Sequence, residues 1–146
     1  MSLTAFIAFS AIQTLAQDAK DKKPAKEEGS GGHSHFTKIP ATVEEIWKKI
    51  HEQQAELVAV VAAKDLGEAH DHAFAVRDLV KALPKKVAAE HKAKTEASAR
   101  EIAKIATAID KSGAAGAQKA TEMNVKKLES AVAALETKLK SVGVKK

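Results

Sequence analysis

Between residues 43 and 139 apolar side chains recur at intervals of three and four, and no stretch alternates apolar with polar. Val43, Ile46, Trp47, Ile50, Leu57, Val58 and Val61 make the first stripe, one face of a helix with 3.6 residues per turn. Thr42 precedes it, with Glu45 three residues on and Pro40 just before, which is the spacing of a capping box. The pattern predicts a helix from Thr42 to about Ala63, ~33 Å long, and a turn at Lys64-Asp65-Leu66-Gly67. A second helix is predicted over about 66–83, with Leu66, Ala69, Ala73, Val76, Val80 and Leu83 inward and Leu79 alongside. Pro84 stops it, because proline disfavours the α conformation in the residue before it. A third, over about 86–111, carries Val87, His91, Thr95, Ser98, Ile102, Ile105 and Ile109. Ser112–Gly116 reads as a turn, with Gly113 the expected left-handed residue after the helix end. The fourth, over about 117–141, faces inward through Thr121, Asn124, Leu128, Val132, Leu135 and Leu139.

Four amphipathic helices with short connections predict an all-α fold, an antiparallel up-down-up-down four-helix bundle spanning residues 41–142. A dimer of two hairpins is the competing arrangement; four stripes already close a core, which favours the monomer. Composition agrees with helices: aromatics are 3% of the chain, there is no Tyr, and the one Trp lies in the first stripe. A core of Leu, Ile, Val and Ala suits close helix packing better than strands, which want β-branched and aromatic residues in alternation.

The residues ahead of the stripes read differently. Leu3 to Ile12 is apolar, and Thr14-Leu15-Ala16 places small residues after it. The run is shorter than the ~20 residues that span a bilayer. It fits the apolar part of a secretory signal occupying residues 1–16 and cleaved after Ala16, although no Lys or Arg precedes it. The expected location is therefore the periplasm or the extracellular space, with no stable membrane span in the mature form. The competing reading is an uncleaved amphipathic or buried segment. Residues 17–40 are rich in Lys, Glu, Gly and Ser and nearly empty of core-forming side chains, so they are expected to form a disordered linker.

Charge and chemistry narrow the function classes. The net charge is +5, from 24 Lys and Arg against 19 Asp and Glu. The two signs interleave along the helices, which describes a solvated surface rather than a nucleic-acid binder with clustered cations and stacking aromatics. The same interleaving argues against a membrane-surface helix, which wants a one-sided basic face. Cysteine is absent, which removes disulfides, thiolate metal sites, Cys nucleophiles and covalent c-type haem. No nucleophile motif, phosphate-cradling glycine loop or inward pair of carboxylates suggests an enzyme.

The six histidines carry what chemistry there is. His91 falls at the centre of the third stripe, where an imidazole must find a hydrogen-bond partner. Counting levels from the turns sets it near Gln54, with Arg77 reaching in from the flank. The expectation is a buried polar layer of His91, Gln54 and Arg77 that fixes register; a metal or proton-linked site is the alternative. His70 and His72 lie two residues apart and diverge by about 200° around a helix, so they cannot share an ion as ligands at i and i+4 do. Phe74, four residues after His70, should stack on it; Arg77 borders the core and Asp78 faces water. His33 and His35 sit in the linker, where two imidazoles can capture Cu²⁺ or Zn²⁺. His51 borders the first stripe, and Met123 lies off the seam of the fourth as a gap-filler.

The stretches KIPATVEEIWKKI, HDHAFAVRDLVKALP and NVKKLESAVAALE together resemble a group of small exported bacterial proteins sometimes associated with heavy-metal efflux systems. The resemblance implies a periplasmic helical bundle and adds weight to metal binding. Comparison with the b-type four-helix cytochromes fails, since their Met and His ligands have no counterpart in the first and last helices. Two non-enzymatic functions remain. One binds or buffers a divalent transition metal, Cu²⁺ or Zn²⁺, through His33, His35, His70 and His72. The other is a ligand-free structural or interaction module of the cell envelope, marked by exposed Phe36, Ile39 and Phe74.

Overall fold

The computed structural model describes residues 39–141, so the expected signal segment, most of the expected linker, Phe36, His33 and His35 lie outside the described residues. The described chain is all-helical, with four α-helices and no strand. They are α1 (Val43–Ala62), α2 (Ala69–Ala82), α3 (Ala89–Ala114) and α4 (Gln118–Ser141), with one 3₁₀ turn, Leu83–Lys85, between α2 and α3. Each packs on its neighbour in the chain, and α1 meets α4 over a smaller interface than those joining α1 to α2, α2 to α3 and α3 to α4. A single cluster of buried side chains runs through all four.

The ends of α1 are made locally. Thr42 Oγ1 accepts from the Glu45 amide at 3.2 Å, and Glu45 Oε2 accepts from the Thr42 amide at 3.2 Å, so the predicted capping box forms. Such a cap contributes about 1 kcal/mol. At the other end the Asp65 amide reaches Val60 O at 2.9 Å and the Lys64 amide reaches Val61 O at 3.1 Å, the two bonds of a Schellman motif. Lys64 holds the left-handed position with φ 63°. The end of α3 repeats the motif, with Ala117 N to Ser112 O and Gly116 N to Gly113 O, both 2.9 Å. There the left-handed residue is Gly116, φ 65°, not Gly113 as expected.

Gly113 is instead buried in the last turn of α3. A Cβ there would stand 2.9 Å from the backbone oxygen of Leu66. The glycine lets α3 approach the α1–α2 turn more closely than a side chain would allow. Helix α2 starts at Ala69, three residues later than expected, and α3 at Ala89 rather than about residue 86. The late start of α3 follows from the connection after α2: Pro84 is held in the 3₁₀ turn, and Leu83 O accepts from both the Lys86 and Val87 amides. Lys86 Nζ then bonds Ala41 O at 2.7 Å, tying that connection to the start of α1.

The core of α3 is Thr95, Ala99, Ile102, Ala106, Ile109 and Gly113. Alanines therefore occupy the seam where Ser98 and Ile105 were expected, and those two sit half-buried on its flank. Small residues suit α3, which packs against both α2 and α4. On α4 the seam is Thr121, Val125, Leu128, Val132, Leu135 and Leu139. Asn124 lies beside it, donating to Ala108 O at 3.2 Å, while Thr121 Oγ1 lies 3.0 Å from Ser112 Oγ. This Ser112–Thr121–Asn124 group is a part-buried polar contact between α3 and α4, next to the turn that joins them. Ile39, the penultimate residue of the expected linker, packs against the core.

Candidate functional site

The histidines of α2 diverge as their spacing requires. His72 Nδ1 meets Gln53 Oε1 of α1 at 2.9 Å. His70 turns back on its own segment, with Nδ1 2.7 Å from Gly67 O and Nε2 3.0 Å from Asp71 Oδ1. The ring sits edge-on to Phe74, centroids 6.2 Å apart, and the Arg77 guanidinium lies 4.2 Å from the Phe74 centroid. Phe74 is half-buried against the core rather than exposed. Arg77 Nε donates to Asp78 Oδ1 at 2.8 Å, with both side chains largely covered, so Asp78 does not face water as its helical position suggested.

The three residues expected to share a polar layer have different surroundings. His91 is in the first turn of α3, where its Nε2 pairs with Glu90 Oε1 at 3.0 Å. It borders a groove with Leu139 and Ser141 at the end of α4. Gln54 borders a separate groove with Val132, Ala133 and Glu136. No hydrogen bond joins His91 to Gln54 among the described residues, and Arg77 bonds Asp78. His91 is half-buried in the first turn of α3 rather than at the centre of its buried seam, which Thr95 and Ala99 begin.

The groove holding Gln54 runs between α1 and α4. Its floor is Ala55, Val58, Val61, Ala62, Val125, Val132 and Ala133. Val58 belongs to the stripe of α1 but is 41% exposed, because α4 does not close over it. One α4 rim bears Glu122, Glu129 and Glu136, with Lys126 between the first two; His51 stands on the α1 side. At one end His51 Nε2 meets Glu136 Oε2 at 3.1 Å, and Lys140 Nζ meets Glu136 Oε1 at 2.8 Å. Lys140 does most to hold the Glu136 carboxyl below the ordinary glutamate range; burial opposes it and His51 assists. At the other end Gln118 Nε2 donates to Val61 O at 2.8 Å and to Glu122 Oε1 at 2.7 Å, bridging the two helices. No ion pair reaches Glu129 among the described residues.

The spacing of apolar residues does not by itself reveal this groove. The available signal was the stripe of α1 itself, in which Val58 stands beside Leu57 and widens the apolar face. Met123, expected to fill a gap, is 56% exposed on α4. Among the described residues no group of three His, Asp or Glu side chains is placed to hold a metal ion, and no helix is long and apolar enough to cross a membrane. No protein family matches the chain, and no curated protein or solved structure is significantly similar to it.

Proposed function

We propose that this chain is an exported, non-enzymatic interaction module, an antiparallel up-down-up-down four-helix bundle that docks a helix of a partner protein in the groove between α1 and α4. The bundle topology is supported by the contacts that pair opposite ends: His51 with Glu136 and Val61 with Gln118 across α1 and α4, and Ala108 with Asn124 and Ser112 with Thr121 across α3 and α4. Export rests on the apolar run Leu3–Ile12 and the small residues after it. The observation that carries the docking role is Val58, a core-stripe valine left 41% exposed on the floor of a trough between two helices. A trough between two helices accepts a third by the packing that closes helical bundles and helix-in-groove complexes. The test is crosslinking in envelope extracts from a photoreactive residue placed at Val58 or at exposed Met123. Adducts formed specifically from position 58 support the role; equal labelling from both positions counts against it.

A second reading keeps the metal. His51 Nε2 and Glu136 Oε2 converge to 3.1 Å at a groove rim, a nitrogen and an oxygen donor of the kind Cu²⁺ and Zn²⁺ accept. Further ligands would come from the stretch bearing His33 and His35, and the resemblance to exported proteins of heavy-metal efflux points the same way. His72 keeps Nε2 open for such a role, whereas His70 would first give up its bonds to Gly67 and Asp71. Calorimetric titration with Cu²⁺ and Zn²⁺ decides it. Binding tighter than ~10 μM, about 7 kcal/mol, that is lost when His33 and His35 become Ala is the expected outcome; weaker binding, or binding indifferent to them, removes this reading.

A further inference from the structure

We infer that the helix docked between α1 and α4 is a cationic one, with Lys or Arg repeating every seven residues beside an apolar seam; this rests on the groove being a docking site. The chain as a whole carries +5, yet the groove reverses that sign. Its rim holds Glu122, Glu129 and Glu136 against Lys126, and Lys140 pairs with Glu136 at one end, which leaves the row one negative charge in excess, with His51 opposite.

The three carboxylates stand at i, i+7 and i+14 on α4, so they form one row, about 10 Å apart along the axis and ~21 Å from first to last. The floor residues Val125 and Val132 repeat with the same period, and on α1 Val58 and Ala55 face them. An incoming helix of some four turns thus meets an apolar floor with a heptad row of negative charge along one edge. That is the arrangement by which flanking charges select partner and register in paired helices. The α1 edge offers no anion among the lining residues, so the cations of the partner align with the α4 side alone, which also sets its orientation.

The row is unevenly engaged. Glu136 is held by Lys140 and His51, and Glu122 accepts from Gln118. Glu129, at the centre and beside Val58, has no ion pair among the described residues. It is the carboxylate a partner cation reaches without displacing another contact. A second copy packed groove to groove with α4 against α4 would oppose the two acidic rows.

The experiment uses the full chain and three labelled peptides of about 18 residues with an identical Leu and Ala seam, carrying Lys, Gln or Glu at three positions seven apart. Binding is read by fluorescence anisotropy. The Lys peptide is expected to bind at least tenfold more tightly than the Gln peptide and to weaken as salt is raised, with the Glu peptide weakest. Glu129→Lys should lower affinity for the Lys peptide about tenfold, while Val58→Asp, which adds negative charge, should still abolish binding because it breaks the apolar floor. Both positions are exposed, and circular dichroism confirms that each variant folds. Equal binding of the Lys and Gln peptides, or no effect of Glu129→Lys, overturns the cationic assignment while leaving the docking groove standing. No binding by any peptide, or binding indifferent to Val58→Asp, overturns the groove itself. Sedimentation showing a dimer that Val58→Asp dissolves assigns the groove to a second copy and also overturns the inference.

Discussion

Replacing Gly113 by alanine sets two opposing effects against each other. In an exposed helix the change Gly→Ala stabilises by about 0.8–1.0 kcal/mol, because glycine loses more backbone freedom on folding. At position 113 the added methyl would stand 2.9 Å from the Leu66 backbone oxygen, 3.9 Å from its carbonyl carbon and 4.0 Å from its Cβ. The nearest atom belongs to the backbone, so no side-chain rotation relieves the contact. Either the end of α3 or the α1–α2 turn must shift, and Leu66 itself packs against the core. Overpacking of this kind costs roughly 1–3 kcal/mol. The contact therefore outweighs the propensity gain, and Gly113→Ala should destabilise by about 1 kcal/mol, some 4–8 °C in Tm for a domain near 100 residues. Gly67→Ala is the control: its methyl would meet only Asp65 Oδ1, at 3.7 Å, and should change stability by less than about 0.5 kcal/mol. Urea and thermal unfolding, followed by helical circular dichroism and Trp47 fluorescence, measure both. A Gly113→Ala protein as stable as the parent, or more so, would refute the close approach of α3 to that turn.

Three further outcomes are expected. Val61→Asp buries a charge at a 3% exposed position and should cost 3 kcal/mol or more, whereas Val58→Asp, one turn earlier and 41% exposed, should cost less than about 1 kcal/mol in the same urea titrations. Gly116→Ala forces an ordinary residue to φ 65° and should destabilise by about 1 kcal/mol, although nothing crowds its methyl. Because the Glu136 carboxyl is held low by Lys140 and His51 against the opposing effect of burial, its contribution is fully present above the ordinary glutamate range, about pH 4.3, and is lost as pH falls through the lowered value. Glu136→Gln should therefore lower Tm at pH 7, and the gap to the parent should close in strongly acidic buffer.

Much of this protein was legible without coordinates because much of it is decided locally. The capping box at Thr42 and Glu45 needs only residues three apart, and the stripes of α1 and α4 need only the pitch of a helix. The divergence of His70 and His72 and the meeting of His70 with Phe74 follow from the same pitch. Errors arose where a residue's role depends on what stands across from it. Gly113 and Gly116 both sit in a Gly-rich turn and differ only in that one faces Leu66 while the other takes φ 65°. Ala99 and Ala106 displaced Ser98 and Ile105 from the seam of α3 because that helix has neighbours on two sides.

The amino-acid sequence alone determined that the described chain is helical, where α1 begins, and the general inward stripe of each helix though not every residue in it, since those properties depend on contacts within one or two turns. Only the tertiary structure decided how well each inward face is covered. It set His91 beside the end of α4 and Gln54 in a different groove between α1 and α4. It also left Val58 open, because α4 meets α1 over a narrow interface. Coverage depends on the distance between two helices far apart in the chain, which no periodicity within either of them encodes.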